Sequence, residues 1–353
     1  MIRVNLPKNL VDDHWKWFEK ILDDVEDWTL PKENQDSKQA TNKIQRREFI
    51  YNQFGFTNDM QIRDLICADY QTMHDMIKQP LYASKIYYRS NSKNSGTGIT
   101  KEDRDALIRA LGYEEFTNLE EPYQWGAYTF CQNLGVNVCP YCNRQYIFTV
   151  VKQKKWQPQG SNRTSEHRLV RPQIEHFFPK SKYPFFSCSI YNMIPGCSIC
   201  NLKKSSVDTF LHPMIYPYEE EFGQKGRFFV DFDIDKINEN DDLIFDKELE
   251  NDIHVKIASD DGKKLDKKIS QSVKKLILEE LYNCHQLEIK NILKRYRLTT
   301  KANINRYSLM NLDATFAKNI ILGRPLCGNG TDYPLRKLNE DIIEQFDGKK
   351  KNK

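Results

Sequence analysis

The chain has 353 residues, of which 39% are hydrophobic, 29% charged and 12% aromatic, with a net charge of +4. This composition excludes a chain that is disordered throughout, and the length suits about two domains. No stretch approaches the ~18 successive apolar residues of a membrane span, and the first residues lack the apolar centre of a signal peptide, so we expect a cytoplasmic protein. Nine cysteines, an odd number, favour buried thiols or metal ligands over a disulfide scaffold.

The N-terminal region, residues 1–135, is predicted to be mostly helical. Apolar and aromatic side chains recur at three- and four-residue steps over residues 10–28 and again over 62–77, which indicates two amphipathic helices. A third helix is predicted over residues 100–111, because it starts with a capping-box sequence and is followed by glycine. A fourth, from about residue 122 to residue 134, has Gly135 as its expected C-cap.

The C-terminal region, residues 216–353, is predicted to combine strands with helices. Short alternating runs over residues 226–257 favour strands, expected to be antiparallel. Helical periodicity returns over residues 269–298 and 338–346, and the basic tail after it is expected to fray.

The basic residues are concentrated in the middle of the chain. Residues 139–206 contain eleven lysines and arginines against two acidic residues, so this segment carries +9 and the remainder −5. A basic segment on an otherwise acidic chain is typical of a module that faces nucleic acid, although a solvated basic loop would have the same composition.

Two Cys-x-x-Cys pairs frame most of this segment. Cys139 and Cys142 form the first pair, Cys197 and Cys200 the second, with 54 residues between them. Each pair can present two thiolates to one tetrahedral ion, so the sequence predicts a structural four-cysteine zinc site. The other five cysteines are expected to be ordinary buried side chains: Cys67, Cys131, Cys188, Cys284 and Cys327.

The loop between the two pairs contains further motifs in a fixed order. These are Gln-Ile-Glu175-His176-Phe-Phe-Pro, then Tyr-Asn192-Met-Ile-Pro, then Cys200-Asn201-Leu-Lys-Lys. Together with the cysteine pairs they resemble the HNH endonucleases of the His-Me finger, or ββα-metal, class over about residues 139–206. Two downstream segments, beginning at Leu281 and Pro334, are similar to bacterial HNH proteins that accompany ATPases in anti-phage defence systems such as Septu.

The resemblance implies an α+β protein in three regions, 1–135, 136–215 and 216–353. A mostly helical scaffold would carry a ββα-metal finger stapled by the zinc, with a small antiparallel β segment downstream. The finger would place Pro172–Phe177 on its first strand, Asn192–Pro195 on its second and Ser198–Ser206 on its helix.

The resemblance also implies a role for each motif residue in metal-dependent phosphodiester hydrolysis. His176 would be the general base, and Glu175 with Asn201 would hold a catalytic Mg²⁺ or Mn²⁺, since both offer oxygen ligands. Asn192 would bind the imidazole or its loop. Two adjacent lysines, Lys203 and Lys204, would contact phosphate. His212, in a Leu-His-Pro sequence, is a further candidate ligand, although a turn residue is the commoner role.

Two other functions remain open at this stage. A zinc-stapled basic module could bind nucleic acid without cutting it, with aromatic residues stacking on bases or packing in the core: Tyr141, Tyr146, Phe148 and Trp156. A degenerate finger could instead serve as an adaptor for a partner protein. The intact His176 favours an endonuclease, acting on DNA more than on RNA, with an ATPase of a defence operon as its expected partner.

Overall fold

The computed structural model describes residues 1–29, 34–35, 42–88, 98–118, 124–150, 170–232, 242–260, 262–308, 310–324, 326 and 332–351. The protein is α+β, about half helical, and its sheets are small antiparallel pairs. It divides into two compact units: Met1–Arg3 with Asn137–Tyr146 and Glu220–Lys353, and Val4–Val136 with Ile147–Glu219. The three-region division remains a prediction.

The unit Val4–Val136 with Ile147–Glu219 contains the helices of the N-terminal half and the segment with the Glu-His motif. Its helices and strands are α1 (Lys8–Ile21), β1 (Val25–Glu26), β2 (Ile44–Gln45), α2 (Arg46–Phe54), α3 (Asp59–Ile66), α4 (Tyr70–Lys78), α5 (Pro80–Ala83), α6 (Lys101–Ala110), α7 (Tyr113–Thr117), α8 (Ala127–Leu134), β3 (Gln173–His176), β4 (Met193–Gly196) and α9 (Ser198–Lys204).

The first predicted helix ends earlier than its periodicity indicates. Helix α1 stops at Ile21, and Val25 lies in β1, where it pairs with Gln45. The first residues of α2 bind this end, because the amides of Arg46 and Arg47 donate to the carbonyls of Asp24 and Leu22 at 2.8 and 3.0 Å. Those contacts satisfy carbonyls that a longer α1 would have used.

The helix predicted over residues 62–77 is two helices, α3 and α4. The chain turns at Asp69, where the backbone is extended. The Asp69 side chain caps α4 by accepting a hydrogen bond from the amide of Thr72 at 2.8 Å. The capping box of α6 is confirmed, since Thr100 and Asp103 bond each other's amides. Gly135 also ends α8 as predicted, with a left-handed φ of 67°.

The unit Met1–Arg3 with Asn137–Tyr146 and Glu220–Lys353 contains the C-terminal elements. They are β5 (Arg227–Val230), α10 (Asp242–Glu248), β6 (Val255–Ala258), α11 (Lys267–Lys275), α12 (Leu278–Asn283), α13 (Gln286–Arg297), α14 (Lys301–Ser308), α15 (Ala314–Leu322) and α16 (Arg336–Lys351). Strands β5 and β6 are antiparallel, as predicted, with Phe228 opposite Ile257.

The stretch with helical periodicity over residues 269–298 contains three helices, as its periodicity indicates. Ile277, between the first two, takes a left-handed backbone with φ of 47°. This reversal lets Leu276 and Leu278, on either side, both become fully buried. The tail expected to fray is helical as far as Lys351. Among the described residues, no helix has the length and apolar composition that crossing a bilayer requires.

Candidate functional site

Four buried cysteines form a cluster. The Sγ atoms of Cys139, Cys142, Cys197 and Cys200 all lie within 4.8 Å of one another, and this is the one group of three or more potential metal ligands found among the described residues. Tetrahedral Zn–S bonds of about 2.3 Å would place the sulfurs about 3.8 Å apart, which the cluster accommodates. The residues therefore fit zinc.

Local backbone bonds shape both cysteine turns. The amide of Cys139 donates to Gln145 and its carbonyl accepts from Asn143, whose left-handed φ is 49°. Cys197 caps α9, with its sulfur accepting from the amide of Cys200 at 3.4 Å. Among the remaining cysteines, Cys131 and Cys188 are buried, as predicted. Cys284 is exposed, contrary to prediction, and Cys327 lies outside the described residues.

Strands and a helix occur where the resemblance places them. Strands β3 and β4 pair antiparallel, with His176 opposite Met193 and Glu175 opposite Ile194, and α9 packs on β3. Because side chains alternate along a strand, Glu175 and His176 face opposite sides of the pair. Both side chains are buried, at 2% and 6% exposure.

The His176 ring is held by a backbone carbonyl. Its Nε2 lies 2.8 Å from the carbonyl oxygen of Ser187, and a carbonyl can only accept, so Nε2 carries the proton. Nδ1 then keeps its lone pair. The ring of Tyr113, from α7, packs against the imidazole at 4.9 Å between centroids. This arrangement fixes both the tautomer and the orientation of the histidine.

The His176 imidazole is uncharged near neutral pH. Burial, together with the cations of Lys180 and Lys204, lowers the pKa of His176 to about 3, although the bond to the Ser187 carbonyl opposes the shift. A neutral imidazole with an available Nδ1 can accept a proton, which is the first requirement for a general base.

Asn192 binds the loop that carries this carbonyl. Its side-chain oxygen accepts from the amide of Phe178 at 2.7 Å, and its side-chain nitrogen donates to the carbonyls of Phe178 and Phe186 at 2.9 and 3.0 Å. Phe186 immediately precedes Ser187. Of the two partners predicted for Asn192, the imidazole and its loop, the structure shows the loop.

A second buried histidine supports the same loop from α1. His14 Nε2 donates to the carbonyl of Cys188 at 2.8 Å, and the indole N–H of Trp125 donates to His14 Nδ1 at 3.0 Å. Burial lowers the pKa of His14 to about 4, so the ring is neutral, as these two bonds require. Sequence reasoning assigned His14 to an apolar helix face and missed this contact, which joins residues 174 positions apart.

Glu175 is paired with a buried lysine. The Lys204 ammonium lies 2.5 Å from Glu175 Oε1 and donates also to the carbonyls of His176 and Phe177, at 2.6 and 2.8 Å. Lys204 is fully buried. The prediction that its ammonium contacts phosphate therefore needs correction: it bonds to three oxygens inside the protein. Burial lowers the pKa of Lys204, and Glu175 opposes that shift.

The other residues predicted to bind a cation or phosphate lie nearer the surface than Glu175 and Lys204. Asn201 donates from Nδ2 to the side-chain oxygen of Gln173 at 2.6 Å, so residues 201 and 204 of α9 meet residues 173 and 175 of β3. Lys203 is exposed, as a phosphate contact requires, and His212 is exposed outside any cluster of ligands among the described residues.

These contacts bear on the predicted catalytic cation. Glu175 is neutralised by an ammonium, and the Asn201 amide is bonded to Gln173. The described side chains in this arrangement therefore do not fit a Mg²⁺ or Mn²⁺ site, which needs several oxygen ligands directed at one point.

Two residues near His176 were given no role from the sequence. The Lys180 ammonium lies over the Tyr113 ring at 3.8 Å, and Lys180 is the largest charge influence on His176. Its position four residues after the histidine, in Glu-His-Phe-Phe-Pro-Lys, was the available signal. For Tyr113, 63 residues upstream, the sequence offers none.

The aromatic residues considered for base stacking differ in exposure. Tyr141 is fully buried and belongs to the core, whereas Tyr146 and Phe148 are about half exposed. Trp156 lies outside the described residues. Stacking on a base is therefore compatible with the positions of Tyr146 and Phe148 and not with that of Tyr141.

The chain has a short match to a curated protein. Over 45 residues it is 40% identical to the Septu protein PtuB of Bacillus thuringiensis, which covers 13% of this chain and 18% of that protein. The match thus spans less than a fifth of the relative's length. No protein-family model matches the chain, and no solved structure matches it significantly.

Proposed function

We propose that this protein is an HNH-type endonuclease that hydrolyses phosphodiester bonds in nucleic acid, with β3, β4 and α9 forming its ββα-metal finger. The observation that carries the proposal is the His176 ring, which is uncharged, oriented by the Ser187 carbonyl and left with an unprotonated Nδ1. His14, which supports the same loop, has the same tautomer, but its Nδ1 already accepts from the Trp125 indole. The four-cysteine cluster supports the proposal, because it closes the loop that contains the motif.

His176 would act at Nδ1, taking a proton from the attacking water. The Ser187 bond holds the proton on Nε2 throughout, and it stabilises the imidazolium that forms. The negative charge of an approaching phosphodiester would offset the two lysines that lower the pKa of His176, so the histidine would become a stronger base when substrate is bound. Lys180, which lies over the Tyr113 ring, and Lys203, which is exposed, would be the cations that meet that phosphate.

The resemblance implies Mg²⁺ or Mn²⁺ at Glu175 and Asn201, where it would stabilise charge on the leaving oxygen. For Glu175 to bind such an ion, the Lys204 ammonium would have to leave the carboxylate. We therefore assign no catalytic step to a cation. Cleavage measured in Mg²⁺, Mn²⁺ and chelator tests whether the reaction requires one.

The expected substrate is DNA rather than RNA, and the expected setting is anti-phage defence with an ATPase partner. The short match to PtuB and the resemblance of the segments after Leu281 and Pro334 support this setting. A nuclease that recognises the backbone would damage the DNA of its own cell, so control by a partner is chemically sensible.

A cleavage assay tests the proposal. Purified protein is incubated with supercoiled plasmid, linear DNA and RNA, in Mg²⁺, Mn²⁺ or chelator, alone and with the product of the adjacent gene. His176→Ala should lower cleavage about 100-fold or more while binding is retained. His254→Ala is the matched control, because it removes an exposed histidine to which no role in the site is assigned.

The same assay separates the alternatives. Binding without cleavage under every condition would favour the zinc-stapled binding module. Cleavage that survives His176→Ala would overturn the assigned base. Full activity on host DNA, with no co-eluting partner and no change when one is added, would leave the proposed ATPase control without support.

A further inference from the structure

A groove in the C-terminal unit has the lining of an anion site. It lies between α13, α15 and the start of α16, and its volume is about 520 Å³. Ligand pockets in proteins are commonly about 300–1,000 Å³, which includes the size of a nucleotide. Three arginines line it, and we call it the arginine groove: Arg295 from α13, Arg324 after α15, and Arg336 at the start of α16.

Two of these guanidinium groups have no carboxylate partner among the described residues. Arg336 is bound to Glu340 at 2.7 Å, but within the described ranges Arg295 makes no ion pair and the Arg324 side chain makes only a 3.5 Å contact with the Asn319 side chain. Guanidinium groups in proteins usually bind carboxylate or phosphate through paired hydrogen bonds. The arginine groove thus holds two such groups whose usual partner is missing from the described protein.

Two further polar atoms of the groove are buried and find no hydrogen-bond partner in the part of the chain that the structure describes. They are Nε of Arg324, a donor, and Oδ1 of Asn339, an acceptor. Leaving either atom unsatisfied costs about 1–3 kcal/mol, so such atoms in a lined groove call for a partner from outside the described residues. That partner must offer both an anionic acceptor and a donor.

The backbone is shaped to accommodate one of the arginines. Gly323 ends α15 with φ of 64°, and a Cβ atom there would lie 2.1 Å from Nη1 of Arg295. Glycine is favoured at this position by its left-handed backbone, and the space left by the missing Cβ is where the guanidinium lies. Helix α16 begins at Arg336, and its N-terminal partial positive charge also favours an anion there.

The remaining lining distinguishes among anions. Glu288 and Glu340 also face the groove, so with three arginines the formal charge of the charged lining residues is +1. A ligand that offers only acceptor oxygens would leave the two carboxylates without partners, whereas a terminal phosphate on a group with hydroxyl or amino donors would pair with both the arginines and the carboxylates. Tyr146 and Tyr333 supply aromatic rings at the wall.

We propose that the arginine groove binds a nucleoside phosphate, with the phosphate between Arg295 and Arg324 and a donor of the nucleoside at Asn339. The ligand could be a free nucleotide or the phosphorylated end of a nucleic acid strand, since both present the same phosphomonoester on a nucleoside. The inference does not rest on the proposed nuclease activity, since it concerns different residues.

Binding is measured on the full chain carrying His176→Ala, so that no substrate is cut. Isothermal titration with AMP, ATP and inorganic phosphate tests the free nucleotide. Fluorescence anisotropy with 5′-phosphorylated and 5′-hydroxyl forms of one oligonucleotide tests the strand end. The difference between those two forms isolates the terminal phosphate from contacts made elsewhere on the chain.

Three variants locate the site. Arg295→Gln and Arg324→Gln should each weaken phosphate-dependent binding about 10-fold to about 100-fold, the range expected for a lost charge-assisted hydrogen bond. Asn339→Leu has a similar volume but offers no acceptor to the donor of the nucleoside, so it should also weaken binding of AMP and of the phosphorylated strand while leaving the fold intact. Lys294→Gln is the control, because it removes a neighbouring, exposed positive charge that is paired with Asp246 and does not line the groove.

The outcomes decide the proposal. Binding of AMP or of the 5′-phosphorylated strand, weakened by all three variants and unchanged in Lys294→Gln, would support it. The absence of binding in the parent protein, or unchanged binding in the Arg295→Gln/Arg324→Gln double variant, would overturn it. Equal affinity for AMP and inorganic phosphate would overturn the proposal that the groove recognises the nucleoside as well as the phosphate. None of these results depends on whether the chain cleaves nucleic acid.

Discussion

The ammonium of Lys204 is bonded to the carboxylate of Glu175 at 2.5 Å, and neither side chain is exposed by more than 2%. A buried ion pair contributes little by its presence, but the loss of one partner leaves an uncompensated charge in a medium of low dielectric. The pair also joins strand β3 to helix α9, so its integrity and that of the predicted finger are linked.

We expect Lys204→Met to lower the free energy of unfolding by about 3–5 kcal/mol, the range for breaking a buried pair. The double variant Glu175→Gln/Lys204→Met should recover part of this loss, because it leaves no unpaired charge. Denaturant unfolding measures both. Lys78→Met is the control: its pair with Asp75 is about half exposed, so the change should be below about 1 kcal/mol. Similar losses of unfolding free energy for Lys204→Met and Lys78→Met would contradict the conclusion that Lys204 and Glu175 form a buried pair.

His14 should make stability depend on pH. The folded pKa of about 4 lies below the ordinary 6.5, so the unfolded chain binds the proton more readily. The stabilisation is present above about pH 6.5 and is lost as the pH falls towards 4, by about 3 kcal/mol over that interval. Unfolding midpoints across this range measure the effect.

In His14→Gln, the slope of the unfolding free energy against pH should correspond to about one proton fewer taken up on unfolding. His176→Ala serves as the comparison, since it removes the other buried histidine whose pKa is lowered and leaves the His14 contribution in place. An identical pH profile for wild type and His14→Gln would show that folding does not lower the pKa of His14.

The four-cysteine cluster should hold about one zinc per chain. Cys197→Ser should lose both the metal and much of the folded yield, because ligand loss removes folding free energy. Cys284→Ser changes an exposed cysteine outside the cluster and should keep the zinc. Elemental analysis with thermal unfolding, before and after a chelator, provides the measurement. A stable wild-type protein without zinc would refute the assignment.

Lys203 and Lys204 should behave differently in nucleic-acid binding. Lys203→Gln removes an exposed charge, so the slope of log affinity against log salt should fall by about 1. Lys16→Gln, an exposed lysine of α1, should leave the slope unchanged. The comparison needs salt titrations of binding by the His176→Ala protein. Equal slopes for Lys203→Gln and Lys16→Gln would remove Lys203 from the interface.

Local signals in the sequence predicted local structure well. The capping box at Thr100, the glycine at 135 and the alternation around Phe228 each depend on a few neighbouring residues, and all three are confirmed. Helix length was predicted less well. Apolar periodicity over residues 62–77 continues through Asp69, and it gives no sign that this side chain caps a new helix.

Contacts between distant segments could not be read from the sequence. The pattern Cys-Asn-Leu-Lys-Lys presents two lysines as equivalent, yet α9 turns Lys203 to solvent and Lys204 towards Glu175. The bond from His14 to Cys188 depends on the packing of α1 against the loop, which is set by the whole core. Spacing thus indicated which residues matter around His176, but not which partners they have.

The carboxamide of Asn192 replaces a peptide group, since it bonds to both the amide and the carbonyl of Phe178 as a neighbouring strand would. Asparagine and glutamine are the residues with such a group, and no single-base change converts an asparagine codon into a glutamine codon. Every one-step amino-acid replacement at this position therefore removes the carboxamide. In natural variants of this chain, position 192 should change less often than its buried apolar neighbours, which have one-step replacements of similar shape.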